Sequence, residues 1–179
     1  ERSERTSKFR GALPHKAFMV ATVHRAENTD EPARLAAIVG AFGALARRLP
    51  LVVPLHPRTR AAMERAGLVA GPGVTLVDPV GPLDMAWLER HAALVLTDSG
   101  GVQKEAYFHR TPCVTMRTET EWVETVTAGW NRLADPGSAA AIVSAAGAAL
   151  DGPPPSTTIS EYGAGDAAGR IADLLEAAA

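Results

Sequence analysis

Short, almost unbroken apolar runs alternate along this chain with longer segments in which apolar residues recur every three or four positions. The runs are residues 17–23, 51–55, 74–77, 94–97 and 112–116, and residues 131–134, in which two polar residues precede two apolar ones, are expected as a sixth, edge-like strand. Apolar runs of this length are typical of strands that are buried on both faces of a parallel sheet. The longer segments have the period of helices that pack one apolar face against a sheet. The alternation therefore predicts βαβ units, that is, an α/β fold with an open parallel sheet flanked by helices.

Residues suited to capping mark where the predicted helices begin. We expect Thr29 or Asp30 to cap the helix that follows the first strand, and Ser99 to cap the helix that starts at Gly100. Short side chains with an oxygen acceptor satisfy the free amides at a helix start. A last helix, residues 166–178, is expected to pack back on the body of the protein or on a partner domain.

Composition and charge are those of a globular protein and argue against several partners. Of 179 residues, 46% are hydrophobic and 21% are charged, with a formal net charge of −2. Such a chain has no positive field to attract nucleic acid or an anionic membrane. No apolar stretch has the length of a membrane span, and no signal peptide is recognised. Cys113 has no second cysteine to pair with, so we expect a buried thiol and a cytoplasmic protein.

The chain divides into three predicted parts. Residues 1–16 are a charged lead-in or linker, residues 17–150 form the α/β domain, and residues 151–179 are a linker followed by the last helix. Because the chain begins at Glu1 without a methionine and opens on charged residues, we expect it to be one domain of a longer polypeptide.

Several polar side chains directly follow predicted strands. They are His24, His56, Asp78, Ser99 and Arg117. In an open parallel sheet the ligand lies outside the C-terminal ends of the strands. Since these side chains would meet at that edge, the sequence predicts a single binding site there.

Residues 94–105 are the strongest candidate for this site. An apolar strand leads into Ser99, and the following helix begins with Gly100 and Gly101. The first amides of a helix have no intrahelical partner, and two glycines leave them open to a phosphate. Glu105, about one turn further on, can accept hydrogen bonds from sugar hydroxyls. The segment reads as a diphosphate site with an acidic ribose contact, although an ordinary strand-to-helix turn with a surface glutamate fits the same residues.

Other residues at the strand ends have suitable chemistry. His24 titrates near neutral pH and can protonate or neutralise a departing phosphate. Arg25 can contact a phosphate or form a surface ion pair with Glu27, and His56 can serve the site or orient its loop. Arg117 fits a phosphate contact, or an exposed arginine at a strand end.

The motifs of several other enzyme classes are absent. The sequence has no Gly-x-Gly-x-x-Gly opening and no Gly-Lys-Ser/Thr phosphate loop, which disfavours dinucleotide binding and ATP hydrolysis. No Gly-x-Ser-x-Gly elbow surrounds Ser99, which disfavours a serine hydrolase. Histidines and acids lack zinc-type spacing, so we predict neither a metal nor another cofactor.

Five motifs together resemble the non-hydrolysing UDP-N-acetylglucosamine 2-epimerases. They are His-Arg-Ala-Glu-Asn at 24–28, Pro-Leu-His-Pro at 54–57, Asp-Pro at 78–79, Thr-Asp-Ser-Gly-Gly-Val-Gln-Lys-Glu at 97–105 and Thr-Glu-Trp-Val-Glu at 120–124. The match keeps the family's order over residues 18–133, and several ordered motifs are more specific than any one. Trp122 departs from the pattern, because many members carry an arginine there and only a branch carries tryptophan.

The resemblance implies a two-domain glycosyltransferase-B-type fold, with this chain as its Rossmann-like, C-terminal, nucleotide-binding half. It also implies reversible conversion of UDP-GlcNAc to UDP-ManNAc. UDP leaves with loss of the C2 proton, and adds back to an enzyme-bound glycal after reprotonation on the other face. The acids that handle this proton would belong to the missing N-terminal domain, so this chain alone is expected to bind UDP weakly without epimerising. The full-length protein is expected to be a homodimer.

The resemblance also implies where the nucleotide lies. Ser99, Gly100 and Gly101 would hold the diphosphate, Glu105 would hold the ribose, and the backbone near Met85 would meet the uracil.

Three more roles come from the same resemblance. His24 would assist the departure of UDP, while Arg25 and His56 resemble positions that bind a second, activating substrate molecule in bacterial members.

Two other functions remain open. One is a glycosyltransferase of the same architecture, with an acceptor in place of the proton-transfer acids, and the other is a UDP-sugar-binding module without catalysis.

Overall fold

The computed structural model describes residues 2–163 and 165–177 and contains a six-stranded, all-parallel sheet. The strands are β1 Met19–Thr22, β2 Leu51–Pro54, β3 Val74–Val77, β4 Leu94–Thr97, β5 Cys113–Thr115 and β6 Asn131–Leu133. Their spatial order is β3-β2-β1-β4-β5-β6, and every neighbouring pair is parallel. The predicted α/β fold with an open parallel sheet is confirmed.

Helices connect the strands and cover both faces of the sheet. They are α1 Arg2–Thr6, α2 Ala26–Thr29, α3 Pro32–Ala46, α4 Pro57–Arg65, α5 Pro82–His91, α6 Gly100–Phe108, α7 Val123–Thr127, α8 Ala139–Asp151 and α9 Ala167–Ala177, with a 3-10 helix at Ser160–Tyr162. All the predicted helices are present within a few residues of their expected bounds. The short helix α2 has no helical periodicity in the sequence and was not predicted.

The core has two layers because neighbouring strand residues face opposite sides of the sheet. Met19 of β1 joins the apolar cluster beneath α3 and α8, where Ile38 and Ile142 are fully buried. Val20, the next residue, joins the second cluster beneath α5 and α6, with Leu88. Both faces of the strand are therefore buried, which explains the unbroken apolar runs in the sequence.

The order of the strands reverses between β1 and β4. The chain builds β1, β2 and β3 in one direction and then returns to place β4 on the free side of β1. Thr22 and Thr97 are paired at the ends of these strands, and their hydroxyl oxygens lie 2.7 Å apart. The residues after β1 and β4 therefore meet at the switch point, where open α/β sheets bind their ligands.

The expected side-chain caps are wrong in the two helices that flank this edge. Ser99 is the N-cap residue of α6, but its side chain makes no capping bond. The N-cap of α3 is Glu31, without a side-chain bond, rather than Thr29 or Asp30. Thr29 instead closes α2 by donating its hydroxyl to the Arg25 carbonyl. The unpredicted helix α2 thus takes the residues that would have capped α3.

The two ends of the chain are attached differently. In the lead-in, the Lys16 ammonium donates to the Ala92 carbonyl at 2.7 Å. Beyond α8, the Trp130 indole donates to the Thr157 carbonyl at 2.7 Å, so this segment follows the body of the domain.

The last helix, α9, has no buried residue in the part of the chain that the structure describes. Its apolar side chains Ile171, Leu174 and Leu175 are 58%, 71% and 68% exposed. The expectation that α9 packs back on the body is therefore wrong, and packing on a partner domain stays a prediction. Among the described residues, no helix has both the length and the apolarity needed to cross a membrane.

Candidate functional site

A cleft of about 180 Å³ opens at the C-terminal ends of β1 and β2. It is lined by Thr22, Val23, His24, Pro54, His56, Pro79, Val80 and Met85. The strands end here because each apolar run is followed by a polar residue or a proline. The predicted residues His24, His56 and Met85 are thereby brought to one opening.

His24 and Asp98 form an ion pair at the switch point between β1 and β4. His24 Nδ1 lies 3.2 Å from Asp98 Oδ1, and the histidine side chain remains 45% exposed. The hydrogen bond with Asp98 raises the pKa of His24, with the carboxylate charge adding to the effect and burial opposing it. Because Nδ1 faces Asp98, the other ring nitrogen, Nε2, is the one available to a ligand.

Asp98 is fully buried but well supplied with donors. Its carboxylate accepts from the backbone N–H groups of His24 at 3.1 Å and Arg25 at 3.0 Å, and from the Asn28 amide at 3.1 Å. Burial acts to raise the pKa of Asp98, but hydrogen bonds from His24, Arg25 and Asn28 outweigh it and leave the pKa below its ordinary value. The ionised carboxylate therefore ties the loop after β1 to the end of β4.

The first turn of α6 lies next to this pair. A side chain at Gly101 would meet only the Ser99 hydroxyl, at 3.9 Å, so the turn is open at this residue. At Gly100 an added Cβ would lie 3.4 Å from Trp122 Nε1 and within 4 Å of atoms of Glu121 and Arg25. One side of the helix start is thus covered by polar side chains, while Gly101 remains exposed.

One of these covering side chains, Trp122, has a hydrogen-bond donor without an acceptor. Trp122 Nε1 is buried and has no hydrogen-bond partner among the described residues, and Lys104 lies 3.8 Å from the centre of its ring. The Trp122 N–H group therefore lies beside the free amides of α6, and donors grouped at a helix start suit an anion.

Arg117 reaches this region through Glu121. The arginine is buried and makes two hydrogen bonds of 2.9 Å to the Glu121 carboxylate, which lower the pKa of Glu121 to about 2. Arg25 pairs with the same carboxylate at 3.8 Å, rather than with Glu27. The alternative of an exposed Arg117 is wrong, since its strand-end position is covered by this pair.

The loop that carries Glu121 and Trp122 is attached to α6. The Thr120 hydroxyl donates to Gln103 Oε1 at 2.6 Å and accepts from the Trp122 N–H at 3.1 Å. Gln103 is buried and also accepts from Asn131 at 3.0 Å. These bonds fix the indole beside the helix start.

Glu105 lies further along α6 and is exposed, on the side that faces α5. Its neighbours include the fully buried Glu89 of α5, whose pKa is raised to about 9 by burial first and by the charge of Glu105 second. His109, four residues after Glu105, places Nε2 3.8 Å from Glu89 Oε2. Glu105 is not among the residues that line the cleft beside Met85.

His56 has a structural task that the sequence left open. It is the N-cap residue of α4, and its Nδ1 accepts from the Arg58 N–H at 3.2 Å. Its ring centre lies 6.3 Å from that of His24, so the residue both orients its loop and borders the cleft.

Three polar residues of the site were not proposed from the sequence: Asp98, Glu89 and Glu121. Asp98 had one usable signal, because an acid directly after a fully apolar strand at a switch point must be neutralised or paired. Glu89 and Glu121 had none, because their surroundings are set by other elements. Within the described residues, no group of three or more His, Cys, Asp and Glu side chains is arranged to hold a metal ion.

Comparison with known proteins gives this arrangement its class. A Pseudomonas aeruginosa protein named UDP-2,3-diacetamido-2,3-dideoxy-D-glucuronate 2-epimerase is 50% identical over 171 residues, which are 92% of this chain and 46% of that protein. The crystal structure of Methanocaldococcus jannaschii UDP-GlcNAc 2-epimerase in complex with UDP-GlcNAc and UDP aligns with a TM-score of 0.83 and 31% identity, covering 98% of this chain and 50% of that one. A glycotransferase of kitacinnamycin, at 18% identity and a TM-score of 0.60 over 84% of this chain and 38% of that one, shares the fold alone.

The sheet order and these likenesses define a Rossmann-like domain of the glycosyltransferase-B type. The profile of the UDP-N-acetylglucosamine 2-epimerase family matches residues 1–176. The chain belongs to this family, as its motifs led us to expect. It spans about half the length of the relatives described above.

Proposed function

We propose that this chain is the nucleotide-binding half of a UDP-N-acetylglucosamine 2-epimerase and that it holds UDP at the start of α6. The observation that carries the proposal is the set of donors at that point. Gly101 leaves the first amides open, and the buried, unpartnered Trp122 Nε1 lies beside the same helix start, 3.4 Å from where a Cβ of Gly100 would be. Amides at a helix start favour a diphosphate over a neutral ligand. The M. jannaschii relative binds UDP-GlcNAc and UDP.

His24 is the group of this chain that we assign to the chemistry. Asp98 holds its Nδ1 and raises its pKa, so the imidazole keeps a proton on Nε2 to higher pH than a free histidine does. A protonated imidazole beside the diphosphate neutralises charge as UDP departs from the sugar and supports its return. Acids that belong to the other half of the polypeptide remove the C2 proton and supply the proton that replaces it.

The uridine would lie between α5 and α6. Met85 borders the cleft on the α5 side, where the backbone would meet the uracil. Glu105 projects from α6 towards α5, where its carboxylate would accept from the ribose hydroxyls. Ser99, whose N–H is already bonded to Thr97 Oγ1 at 3.0 Å, would contribute its hydroxyl to the diphosphate.

The remaining basic residues would serve the rim of the site. Arg117 and Arg25 share the Glu121 carboxylate, and a diphosphate competes for the same guanidinium groups. Arg25 and His56 would also contact the second, activating UDP-GlcNAc that the family resemblance implies. The homodimer, the cytoplasmic location and the division into residues 1–16, 17–150 and 151–179 belong to the same proposal.

A second substrate is favoured by one specific observation. The P. aeruginosa relative at 50% identity is named for UDP-2,3-diacetamido-2,3-dideoxy-D-glucuronate, so this UDP-sugar is the alternative to UDP-GlcNAc. Both substrates present the same UDP group to this half. The choice between them therefore depends on groups that contact the sugar.

Calorimetric titration with UDP tests the binding site. In wild type we expect UDP to bind, and in Gly101→Ala we expect affinity to fall about tenfold, because the added methyl occupies the approach to the amides. An added Cβ at Gly101 meets only an ordinary contact at 3.9 Å, so the variant should fold. Gly147→Ala in α8, where an added Cβ has nothing within 4 Å, is the matched control. Absence of UDP binding to wild type would overturn the proposal.

The reaction is tested with the full-length polypeptide. Incubation with UDP-GlcNAc should form UDP-ManNAc, and a parallel reaction with the diacetamido-glucuronate substrate distinguishes the two epimerases. Transfer of the sugar to an acceptor instead would support a glycosyltransferase. The 179-residue chain alone should not epimerise either substrate, and turnover by it would contradict our assignment of the proton-transfer acids.

A further inference from the structure

The interface between α5 and α6 contains a buried acid without a partner. Glu89 of α5 is 0% exposed, and neither of its carboxyl oxygens has a hydrogen-bond partner among the described residues. The nearest basic atom, His109 Nε2, is 3.8 Å from Glu89 Oε2, which is too long for a hydrogen bond. An ionised carboxylate is strongly disfavoured in such surroundings.

The groups that face Glu89 do not supply a compensating positive charge. Burial lowers the pKa of His109, with Arg90 adding to the effect, so its imidazole is neutral near pH 7. Burial raises the pKa of Cys113 on β5 to about 12, so its thiol is also neutral. Burial, with the charge of Glu105, raises the pKa of Glu89 to about 9. Near neutral pH, Glu89 therefore carries a proton.

That proton has an acceptor on the facing helix. His109 Nε2 lies 3.8 Å from Glu89 Oε2, and the charge of Glu105 acts on the same carboxyl group. The two residues are four positions apart on α6 and so share one side of that helix. A protonated carboxyl group has one O–H to donate. The Glu105 carboxylate is a stronger acceptor than a neutral imidazole, because hydrogen bonds to charged groups are shorter and stronger.

We infer that Glu89 is a positioning residue, whose protonated carboxyl group donates to Glu105 and holds that carboxylate in place for the ribose of UDP. The inference rests on the proposed function, in which Glu105 is the ribose contact. Once Glu89 loses its proton, two carboxylates on facing helices repel each other and Glu105 leaves its position. UDP affinity therefore falls in alkaline solution, and Glu89 makes this site sensitive to pH.

Calorimetric titration with UDP at pH 7.5 and pH 9.5 tests the inference with two variants. Glu89→Gln keeps a donor that cannot ionise, so we expect affinity within twofold of wild type at pH 7.5 and about fivefold tighter than wild type at pH 9.5. Glu89→Leu removes the donor, so we expect affinity about fivefold weaker than wild type at pH 7.5. Glu64→Gln, an exposed acid on α4, is the control and should follow wild type at both pH values.

Comparison at equal pH removes the contribution of uracil, which itself loses a proton in alkaline solution. If wild type binds UDP and the ratio of its affinity to that of Glu89→Gln is the same at both pH values, the inference is overturned. Equal loss of affinity in Glu89→Gln and Glu89→Leu would also overturn it, because that result indicates a packing role alone.

A second measurement needs no ligand and separates this inference from the proposed function. In ligand-free protein with labelled glutamate carboxyl carbons, the NMR shift of Glu105 should change as Glu89 titrates, and this change should be absent in Glu89→Gln. If Glu105 is insensitive to Glu89, the inference fails even where UDP binds. If the two are coupled but UDP does not bind, the contact stands and the nucleotide assignment fails.

Discussion

Two acids of this domain are equally buried and have opposite electrostatic surroundings. Asp98 and Glu89 are both 0% exposed. Asp98 accepts hydrogen bonds from two backbone amides, a histidine and an asparagine, and its pKa is lowered. Glu89 accepts no hydrogen bond from the described residues, and its pKa is raised to about 9. Burial favours the neutral form of both acids, so the number of donors decides which one ionises.

The difference reflects where each acid lies in the fold. Asp98 follows β4 at the switch point, where the loop after β1 begins and turns several donors towards it. Glu89 lies in the last turn of α5, where the amides are already bonded within the helix and no free donor is available. An acid at a parallel-strand end can therefore be ionised at low cost, whereas an acid on the inner face of a helix depends on a side chain from another element.

The largest change in stability is expected when the groups that donate to Asp98 lose their acceptor. Asp98→Asn should reduce the free energy of unfolding at pH 7 by about 4 kcal/mol, because a buried amide cannot accept from all the same donors. The pKa of Asp98 is lowered in the folded protein, so its stabilisation is present above the unfolded pKa and is lost as the pH falls through the folded one. The penalty in Asp98→Asn should shrink accordingly in acid.

Urea unfolding measures this effect, with Asp173→Asn on α9 as the control, since Asp173 is exposed. A penalty in Asp98→Asn no larger than in the control would mean that the hydrogen bonds around Asp98 do not stabilise the switch point.

The dependence of stability on pH is expected to have the opposite sign at Glu89. Its pKa is raised from 4.5 to about 9 in the folded protein, so between these values the folded state keeps a proton that the unfolded state has released. Wild type therefore loses stability as the pH rises from about 4.5 towards 9. Glu89→Gln removes this loss, so its stability relative to wild type should rise by about 4 kcal/mol from pH 5 to pH 8.

Urea unfolding at pH 5 and pH 8 provides this comparison, and Glu64→Gln should show no such gain. If the difference between Glu89→Gln and wild type were independent of pH, Glu89 would not carry the proton assigned to it.

The smallest effect concerns a third buried polar group, the Trp122 indole, which also lacks a partner. If this N–H donates to the diphosphate, Trp122→Phe should weaken UDP binding about fivefold, or about 1 kcal/mol, the value of one hydrogen bond. Phenylalanine keeps the aromatic ring beneath Lys104, so the loop should be preserved. Val123→Ala, which alters a neighbouring exposed side chain, is the control in the same calorimetric titration. Unchanged affinity in Trp122→Phe would show that the indole serves packing alone.

The sequence by itself determined the layout of this domain. Apolar runs identified five of the six strands, because a parallel strand covered on both faces must be apolar throughout. The sixth, β6, begins with two polar residues and was expected only as an edge-like strand. The ordered motifs around His24 and Gly100 indicated the family, which the match over residues 1–176 established. Polar residues at the strand ends, among them His24 and His56, predicted one binding edge. The structure brings these two together there with Met85.

The tertiary structure alone decided which side chains meet and which ionise. Asp98 acquires its donors from a segment 70 to 74 residues earlier in the chain, and Arg25 pairs with Glu121 rather than with its neighbour Glu27. Glu89 and Glu105 oppose each other only because α5 and α6 pack together. A pattern along the chain records local burial, whereas a pKa and an ion pair depend on distances between elements, and those distances exist only in the folded protein.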